Sequence, residues 1–255
     1  MKHTISWWSA GVTSAIATKI ALEKYDNVII AFCETNQHHP DNDRFKADCE
    51  KWYGQDIIVL NNKKYKSVEE VLKLGYINGP SGASCTRYLK KDVRIAFEKI
   101  VDYSGQVFGF EYEPKQIKRA ERFITQYPAS LALFPLIEEK INKKQSMEML
   151  LKAGIELPAM YRLGYSNNNC YGCVKGGMGY WNKVRVDFPD VFKRTAELER
   201  LAKHSCIKGV FLDELRPDQG RHDTLELPEC GIYCEVEDFD KRELTEEEKV
   251  VEWGE

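Results

Sequence analysis

Residues 4–24 read TISWWSAGVTSAIATKIALEK, and this stretch joins two patterns that together predict an α/β fold. Thr4 to Trp8 is apolar and rich in β-prone residues, which is typical of a buried strand. From Ser14 to Lys24 the apolar residues recur at helical spacing. Residues 9–13 between them are mostly small or polar, so we expect a tight loop that carries the chain from a strand into a helix.

The alternation of strand and helix continues along the first half of the chain. Further apolar runs predict strands at Val28–Phe32, Ile57–Leu60, Gln106–Gly109 and Leu131–Phe134, and helical patterns separate them. Helices that connect successive strands in this way produce a parallel sheet with helices on both faces. The sequence therefore predicts a Rossmann-like α/β fold.

The character of the chain changes after Pro135, where we expect an α-rich, cysteine-bearing extension. The elements predicted there are helices near Lys143–Ala153 and Asn182–His204, an irregular loop over Gly164–Gly179 and a short strand over Val210–Leu212. We therefore divide the chain into an α/β domain, residues 1–136, and a helical part, residues 137–255, that packs on it.

Charge and hydropathy limit the compartment and the partners. A formal net charge of -3 gives no long-range attraction to nucleic acid or to an anionic membrane. No run approaches the roughly 18 apolar residues of a membrane span, and the N-terminus lacks the apolar core of a signal peptide. We expect a cytoplasmic protein with no membrane partner, whose eight cysteines are thiols or metal ligands rather than disulfides.

The loop over residues 9–14 is a candidate anion site. Ligands of parallel α/β sheets bind beyond the carboxyl ends of the strands, and a loop that opens a helix offers unpaired N–H groups. Small residues such as Gly11 let the backbone approach a phosphate or sulfate, while Thr13 and Ser14 add hydroxyl donors. The alternative is a loop that merely caps the helix.

Four of the eight cysteines can be interpreted from their local context. Cys170 and Cys173 form a C-x-x-C in a glycine-rich loop, a spacing that lets two thiolates grip one metal ion or one edge of a cluster. The alternative is a reduced pair that only packs. Cys33 and Cys49 lie on a predicted strand and a predicted helix, and we expect both to be small core residues.

Five stretches of the chain, taken in order, resemble the motifs of one family. They are SAGVTS (9–14), ETNQHHPD (34–41), CTRYLK (85–90), LPAMYRLGYSNNNCYGC (157–173) and ECGIY (229–233). They are similar, in the same order, to five motifs of the phosphoadenylyl sulfate and adenylyl sulfate reductases. These motifs are the Ser-Gly-Gly-x-Asp-Ser loop, the Asp-Thr-Gly stretch, the Cys-Cys-x-x-Arg-Lys motif, the Cys-x-x-Cys segment and the Glu-Cys-Gly end. These enzymes belong to the adenine nucleotide α-hydrolase, or PP-loop, superfamily.

The resemblance implies an oxidoreductase of sulfur metabolism that binds an adenine nucleotide and reduces adenylyl sulfate, or its 3′-phosphorylated form, to sulfite. Its nucleophile would be Cys230, whose thiolate attacks the sulfur of the bound nucleotide and forms an enzyme S-sulfo adduct. A second thiol, from a thioredoxin- or glutaredoxin-like protein or from Cys234, would release sulfite. The alternative role for both cysteines is metal binding.

The resemblance also implies the remaining site residues. The nucleotide would be bound by Ser9, Ala10, Gly11, Val12, Thr13, Ser14, Glu34, Thr35, Lys90, Gly109 and Arg119. A metal centre would be bound by Cys85, Cys170, Cys173 and Cys234, with Cys230 and Cys206 as other candidates for the fourth ligand. A 4Fe-4S iron–sulfur cluster is preferred over zinc, because the reductases that the chain resembles carry one.

Several positions depart from the family pattern and keep other functions open. Ala10 replaces a glycine, Thr13 the loop aspartate, Thr86 the second cysteine of a doublet and Leu89 an arginine. Loss of the aspartate charge disfavours ATP cleavage, whereas the altered doublet and Cys234 favour an ATP-dependent sulfurtransferase that thiolates tRNA or DNA. A catalytically inactive nucleotide-binding module is a third hypothesis, and a homodimer is one option for the assembly.

Overall fold

The computed structural model describes residues 1–79, 82–221 and 251–253. Within these ranges the strands are β1 (His3–Trp7), β2 (Val28–Cys33), β3 (Ile58–Asn62), β4 (Asn78–Gly79), β5 (Gly82–Ala83), β6 (Tyr103–Val107), β7 (Ala132–Leu133) and β8 (Val251–Trp253). The main sheet has the strand order β7-β6-β1-β2-β3-β8, and β4 pairs with β5 in a separate hairpin.

The centre of the main sheet is parallel. β1 pairs in parallel with β2 and β6, and the same direction continues from β2 to β3 and from β6 to β7. This five-stranded parallel sheet, flanked by helices, confirms the predicted fold class. β8 pairs antiparallel with β3 at the edge of the sheet, and this strand was not predicted.

Helices follow most of the strands. They are α1 (Val12–Lys24), α2 (Asp41–Tyr53), α3 (Val68–Leu72), α4 (Ser84–Thr86), α5 (Asp92–Glu98), α6 (Pro114–Gln126), α7 (Pro135–Glu138), α8 (Lys143–Lys152), α9 (Ala159–Arg162), α10 (Met178–Asp187) and α11 (Pro189–Ala202). A π-helical turn over Arg87–Lys91 joins α4 to α5. No helix within the described ranges is long and apolar enough to cross a membrane.

The apolar run of β2 is buried on both sides, as a central parallel strand requires. Val28 and Ile30 face the core that α1, α2 and α8 cover, whereas Ala31 and Cys33 face the core that α5 and α6 cover. Cys33 and Cys49 are buried in these two cores, which confirms the expectation that they are core residues.

A third core joins the cysteine-bearing part of the chain to its middle. Trp181 of α10 is fully buried there, in one cluster with Val71 of α3, Leu89 of the π-helical turn and Cys173. This packing holds the C-x-x-C loop against the segment that contains Cys85 and Lys90.

The helix predicted over Asn182–His204 is wrong in its continuity, because two helices occupy this region. α10 ends at Asp187, and α11 begins at Pro189. Proline has no amide to donate and disfavours the helical conformation in the residue before it. Phe188 accordingly leaves the helical region, with φ -139° and ψ 65°.

The strand predicted over Val210–Leu212 is also wrong. Val210 forms only an isolated bridge with Ile207, and a 3-10 turn begins at Leu212. The Leu212 amide donates to the buried carboxylate of Glu199 at 2.6 Å, so it is not available to a neighbouring strand. A contact between distant residues therefore overrides the local β propensity.

Candidate functional site

A cleft opens at the carboxyl ends of β1, β2 and β6. It is open to solvent at its mouth, and the space between its walls, with that solvent included, is about 1040 Å³. All the residues predicted to bind a nucleotide line it, except Val12 and Glu34. Those that do are Ser9, Ala10, Gly11, Thr13, Ser14, Thr35, Lys90, Gly109 and Arg119.

The loop over residues 9–14 is held in shape by its own hydroxyl groups. Ser14 Oγ accepts hydrogen bonds from the amide and the hydroxyl of Ser9, both at 3.0 Å, and donates to the Gly11 carbonyl at 2.9 Å. The Val12 amide donates to the Tyr161 hydroxyl at 3.4 Å. The Thr13 and Ser14 amides have no acceptor among the described residues, so the positive end of α1 presents unbonded donors beside the cleft.

Ala10 adopts a backbone conformation that L-residues rarely take. Its φ is 59°, in the left-handed region where a side chain costs about 1–2 kcal/mol. The Asn168 side-chain amide donates to the Ala10 carbonyl at 2.7 Å and to Asn42 Oδ1 at 2.8 Å. Asn168 thereby ties the loop to the segment that leads into the C-x-x-C, and local strain of this kind is common at functional sites.

Two glycines shape the cleft in different ways. A Cβ on Gly109 would lie 2.7 Å from the backbone of Ser14, so a side chain there would displace the first turn of α1. Gly11 has an ordinary φ of -90°, and a Cβ on it would meet neighbouring side chains no closer than 3.6 Å. Gly109 is therefore required by packing, whereas Gly11 leaves space at the base of the cleft.

Two of the predicted cations line the cleft and lie on different elements of the fold. Lys90 lies on the π-helical turn, an irregularity that is frequent at functional sites. Arg119 lies on α6, with its guanidinium 4.4 Å from the centre of the Phe110 ring. Arg122, a third basic residue that the family resemblance placed near the anion but whose sequence context also suits a solvated helix face, is not among the residues that line the cleft.

Val12 and Glu34, the two predicted nucleotide-binding residues that do not line the cleft, have structural roles instead. Val12 is fully buried in the core beneath α1. Glu34 folds back on its own turn, where Oε1 accepts the Thr35 and Asn36 amides, each at 2.7 Å. Burial raises the pKa of the Glu34 carboxyl, but the contact with His38 and the bond from the Asn36 amide outweigh it and lower the pKa overall. Glu34 thus fixes the turn that places Thr35 in the cleft.

Sequence reasoning missed three groups of this cleft. His38 and Asn168 line it, and so does Tyr161, whose hydroxyl meets the Val12 amide. The asparagine run 167–169 and the His-His pair were visible in the sequence. Neither pattern identifies a ligand contact without the fold, because polar residues in loops are usually solvated.

A second, much smaller pocket adjoins the cleft, and Cys85, Cys170 and Cys173 all line it. We call it the thiol pocket. Thr35, Lys90 and Cys170 line both cavities, and Thr35 Oγ1 lies 3.3 Å from Cys170 Sγ. The structure therefore brings together three of the four predicted metal ligands beside the predicted nucleotide cleft.

The C-x-x-C turn is built around the hydroxyl of Tyr180. This oxygen accepts the Gly172 and Cys173 amides at 3.0 and 2.8 Å and donates to the Cys170 carbonyl at 3.2 Å. Gly172 has a φ of 78°, and a Cβ there would lie 2.6 Å from Val191. The turn therefore depends on one buried hydroxyl and one glycine.

The other candidate metal ligands are Cys230, Cys234 and Cys206. Cys230 and Cys234 lie outside the described residues. Cys206 is buried, and burial, followed by the nearby carboxylate of Glu199, raises its pKa well above the usual value. Cys173 and Cys85 are also among the neighbours that raise its pKa, and a bound metal deprotonates its thiol ligands, so Cys206 stays a candidate for the fourth ligand.

The chemistry of the described thiols suits a metal centre better than their arrangement does. Among the described residues, no group of three or more histidine, cysteine, aspartate or glutamate side chains is arranged to hold a metal ion. The three cysteines nevertheless line one pocket, and soft thiolate ligands are those that iron–sulfur clusters and zinc prefer.

No protein-family model matches the chain, and no curated protein is significantly similar to it.

Proposed function

We propose that the chain is a sulfonucleotide reductase-like enzyme, which binds an adenine nucleotide and reduces adenylyl sulfate or phosphoadenylyl sulfate to sulfite. The observation that carries the proposal is that the anion-type cleft and the thiol pocket share Thr35, Lys90 and Cys170 as common walls. Transfer of a sulfonate group from a nucleotide to a thiol requires an anion-binding site close to cysteine thiols.

The cleft would bind the phosphosulfate end of the nucleotide. The unbonded amides at the start of α1 and the hydroxyl of Thr13 would donate hydrogen bonds to non-bridging oxygens. Lys90 and Arg119 would add positive charge, and a guanidinium fork suits a tetrahedral oxyanion. Thr13, in place of an acidic residue, adds no negative charge that would repel the ligand.

The reaction would proceed in two thiol steps. The Cys230 thiolate attacks the sulfur of the bound nucleotide; an S–S bond forms, the S–O bond to the phosphate breaks, and the nucleoside phosphate leaves with the electron pair. A second thiolate, from a thioredoxin- or glutaredoxin-like protein, then attacks Cys230 Sγ. A disulfide forms, sulfite leaves, and the two thiols have supplied the two electrons.

Cys85, Cys170, Cys173 and Cys234 would hold a 4Fe-4S cluster in the thiol pocket. When bound, such a cluster would supply metal-centred charge beside the anion-binding cleft. Thr35 would hydrogen-bond the Cys170 ligand, and Tyr180 would hold the 170–173 turn in place, as outer groups do around metal ligands. Both the thiols and the thiol reductant require a reducing compartment, so we place the protein in the cytoplasm.

One observation favours a second candidate, an ATP-dependent sulfurtransferase that thiolates tRNA or DNA. Thr86 lines the thiol pocket at the position where the reductases have the second cysteine of a doublet. Anaerobic assays separate the two functions. The reductase releases sulfite from adenylyl sulfate when a thioredoxin-like reductant is present, whereas the sulfurtransferase releases pyrophosphate from ATP and requires a nucleic-acid acceptor. Sulfite release is the expected result, and ATP cleavage without it would contradict the proposal.

A further inference from the structure

His38 is a titratable group of the cleft that neither the motifs nor the proposed mechanism uses. It lies on the turn between β2 and α2 and lines the cleft together with Lys90 and Arg119. Its neighbour His39 does not line the cleft, and His39 Nδ1 accepts the Asp41 amide at 3.1 Å. Two adjacent histidines therefore occupy different environments.

Carboxylates face both ring nitrogens of His38. Nδ1 lies 2.9 Å from Glu34 Oε1 and Nε2 lies 3.5 Å from Asp43 Oδ1. The remaining described neighbour with an assigned contact is the Phe32 ring, 6.2 Å away and uncharged. The contact with Glu34, an ion pair whose geometry falls short of a hydrogen bond, raises the pKa of His38, burial opposes it, and Asp43 adds to the increase. The imidazolium is thus favoured in the folded protein.

The two carboxylates differ in how firmly they are held. Glu34 is fixed by the backbone amides of its own turn and its side chain is only 13% exposed, whereas that of Asp43 is 82% exposed. The Nδ1 atom is buried, so the exposed part of the ring is its Nε2 edge. Asp43, which does not itself line the cleft, is therefore the carboxylate that is freer to leave His38, whereas Glu34 is held by its turn.

We propose that His38 is a third cationic contact for the tetrahedral anion of the ligand, and that Asp43 occupies its Nε2 atom until the ligand displaces it. This inference rests on the proposed function, because it assumes that the cleft binds a phosphosulfate group. It makes the affinity of the cleft depend on pH: the contact is present while the ring is protonated, and it is lost as the pH rises through the raised pKa.

Calorimetric titration with adenylyl sulfate tests the inference. The charge of this ligand does not change across the titration range of histidine, and a Cys230→Ser background prevents covalent transfer. In that background, affinity should fall about tenfold between about pH 6 and pH 8, the size of one charge-assisted hydrogen bond. His38→Gln should weaken binding by a similar factor at about pH 6 and abolish the pH dependence. The matched control His39→Gln should retain both.

Asp43→Asn gives an independent result of opposite sign. Because it removes the competing carboxylate at an exposed position, it should strengthen binding at about pH 6. An unchanged pH profile in His38→Gln, or weaker binding in Asp43→Asn at that pH, would overturn the inference while leaving the nucleotide site intact. Failure of the unsubstituted His38 protein to bind adenylyl sulfate at any pH would instead overturn the proposed function, and the inference with it.

Discussion

Thr35 Oγ1 lies 3.3 Å from Cys170 Sγ, and both residues line the nucleotide cleft and the thiol pocket. Thr35 belongs to the turn after β2, whereas Cys170 belongs to the C-x-x-C loop of the C-terminal part. One contact therefore joins the end of the parallel sheet to the cysteine-bearing loop, and a change on either side of it is expected to reach the other.

Gly109→Ala should weaken nucleotide binding about tenfold, because the new Cβ would lie 2.7 Å from the Ser14 backbone and displace the start of α1. Calorimetry with adenylyl sulfate measures the effect. Gly177→Ala is the matched control, since no atom lies within 4 Å of a Cβ there. Equal affinity in Gly109→Ala and the unmodified protein would contradict the role given to the loop.

Ala10→Gly should stabilise the protein by up to about 1 kcal/mol, because glycine adopts the φ of 59° without a side-chain clash. The free energy of unfolding in urea measures the change. Ala15→Gly, at a buried position inside α1, should be destabilising by a similar amount. If both substitutions destabilise, Ala10 is not strained.

Asp41 should contribute to stability in a pH-dependent way. The hydrogen bonds from Arg44 hold the pKa of the Asp41 carboxyl down to about 2, although partial burial acts in the opposite direction. A depressed pKa stabilises the folded state above the unfolded value of about 4, and this contribution is lost as the pH falls through about 2.

Asp41→Asn should therefore cost about 1–2 kcal/mol of unfolding free energy at neutral pH and almost nothing near pH 2. Asp48→Asn, which removes a more exposed partner of the same Arg44, should cost less. Because Asp41 also accepts the Ala159 amide at 2.7 Å, the first variant should loosen the α9 segment as well. A cost that does not vary with pH would contradict the assignment.

Tyr180→Phe should release the C-x-x-C turn, because it leaves the Gly172 and Cys173 amides without their acceptor. We expect a loss of about 1–3 kcal/mol of stability and roughly tenfold weaker metal retention. Metal analysis and the visible spectrum after anaerobic purification measure the latter. Tyr165→Phe, a buried tyrosine in the same core, is the control, and equal metal content in the two variants would refute the role of the Tyr180 hydroxyl.

The sequence allowed the parallel sheet and much of the cleft to be predicted for a simple physical reason. Apolar runs such as Val28–Phe32 are readable because a central strand is buried on both faces. Ligands bind beyond the carboxyl ends of parallel strands, so the loop that starts at Ser9 was expected to form an anion site, whereas Thr35 and Gly109 were predicted from the family resemblance. Pro189 also carried a readable signal, and the single predicted helix overlooked it.

Other features depend on contacts between residues far apart in the chain. Asn168 bonds the carbonyl of Ala10, 158 residues away, and Glu199 takes the amide of Leu212, 13 residues away. No local pattern encodes either bond. Glu34 likewise accepts the amides of its own turn and contacts His38 because of the path that the backbone takes after β2. A sequence motif does not describe that path.

Under the proposed function, the cleft presents a sulfonucleotide to the Cys230 thiol. Intact-mass spectrometry tests it most directly, on protein purified anaerobically and mixed with adenylyl sulfate in the absence of a reductant. We predict one sulfonate adduct per chain, located on Cys230, which a thioredoxin-like thiol discharges as sulfite. The Cys230→Ser variant should form no adduct, although it retains its metal and binds the nucleotide. A protein that binds adenylyl sulfate but forms no adduct, or a Cys230→Ser variant that loses its metal, would contradict the account.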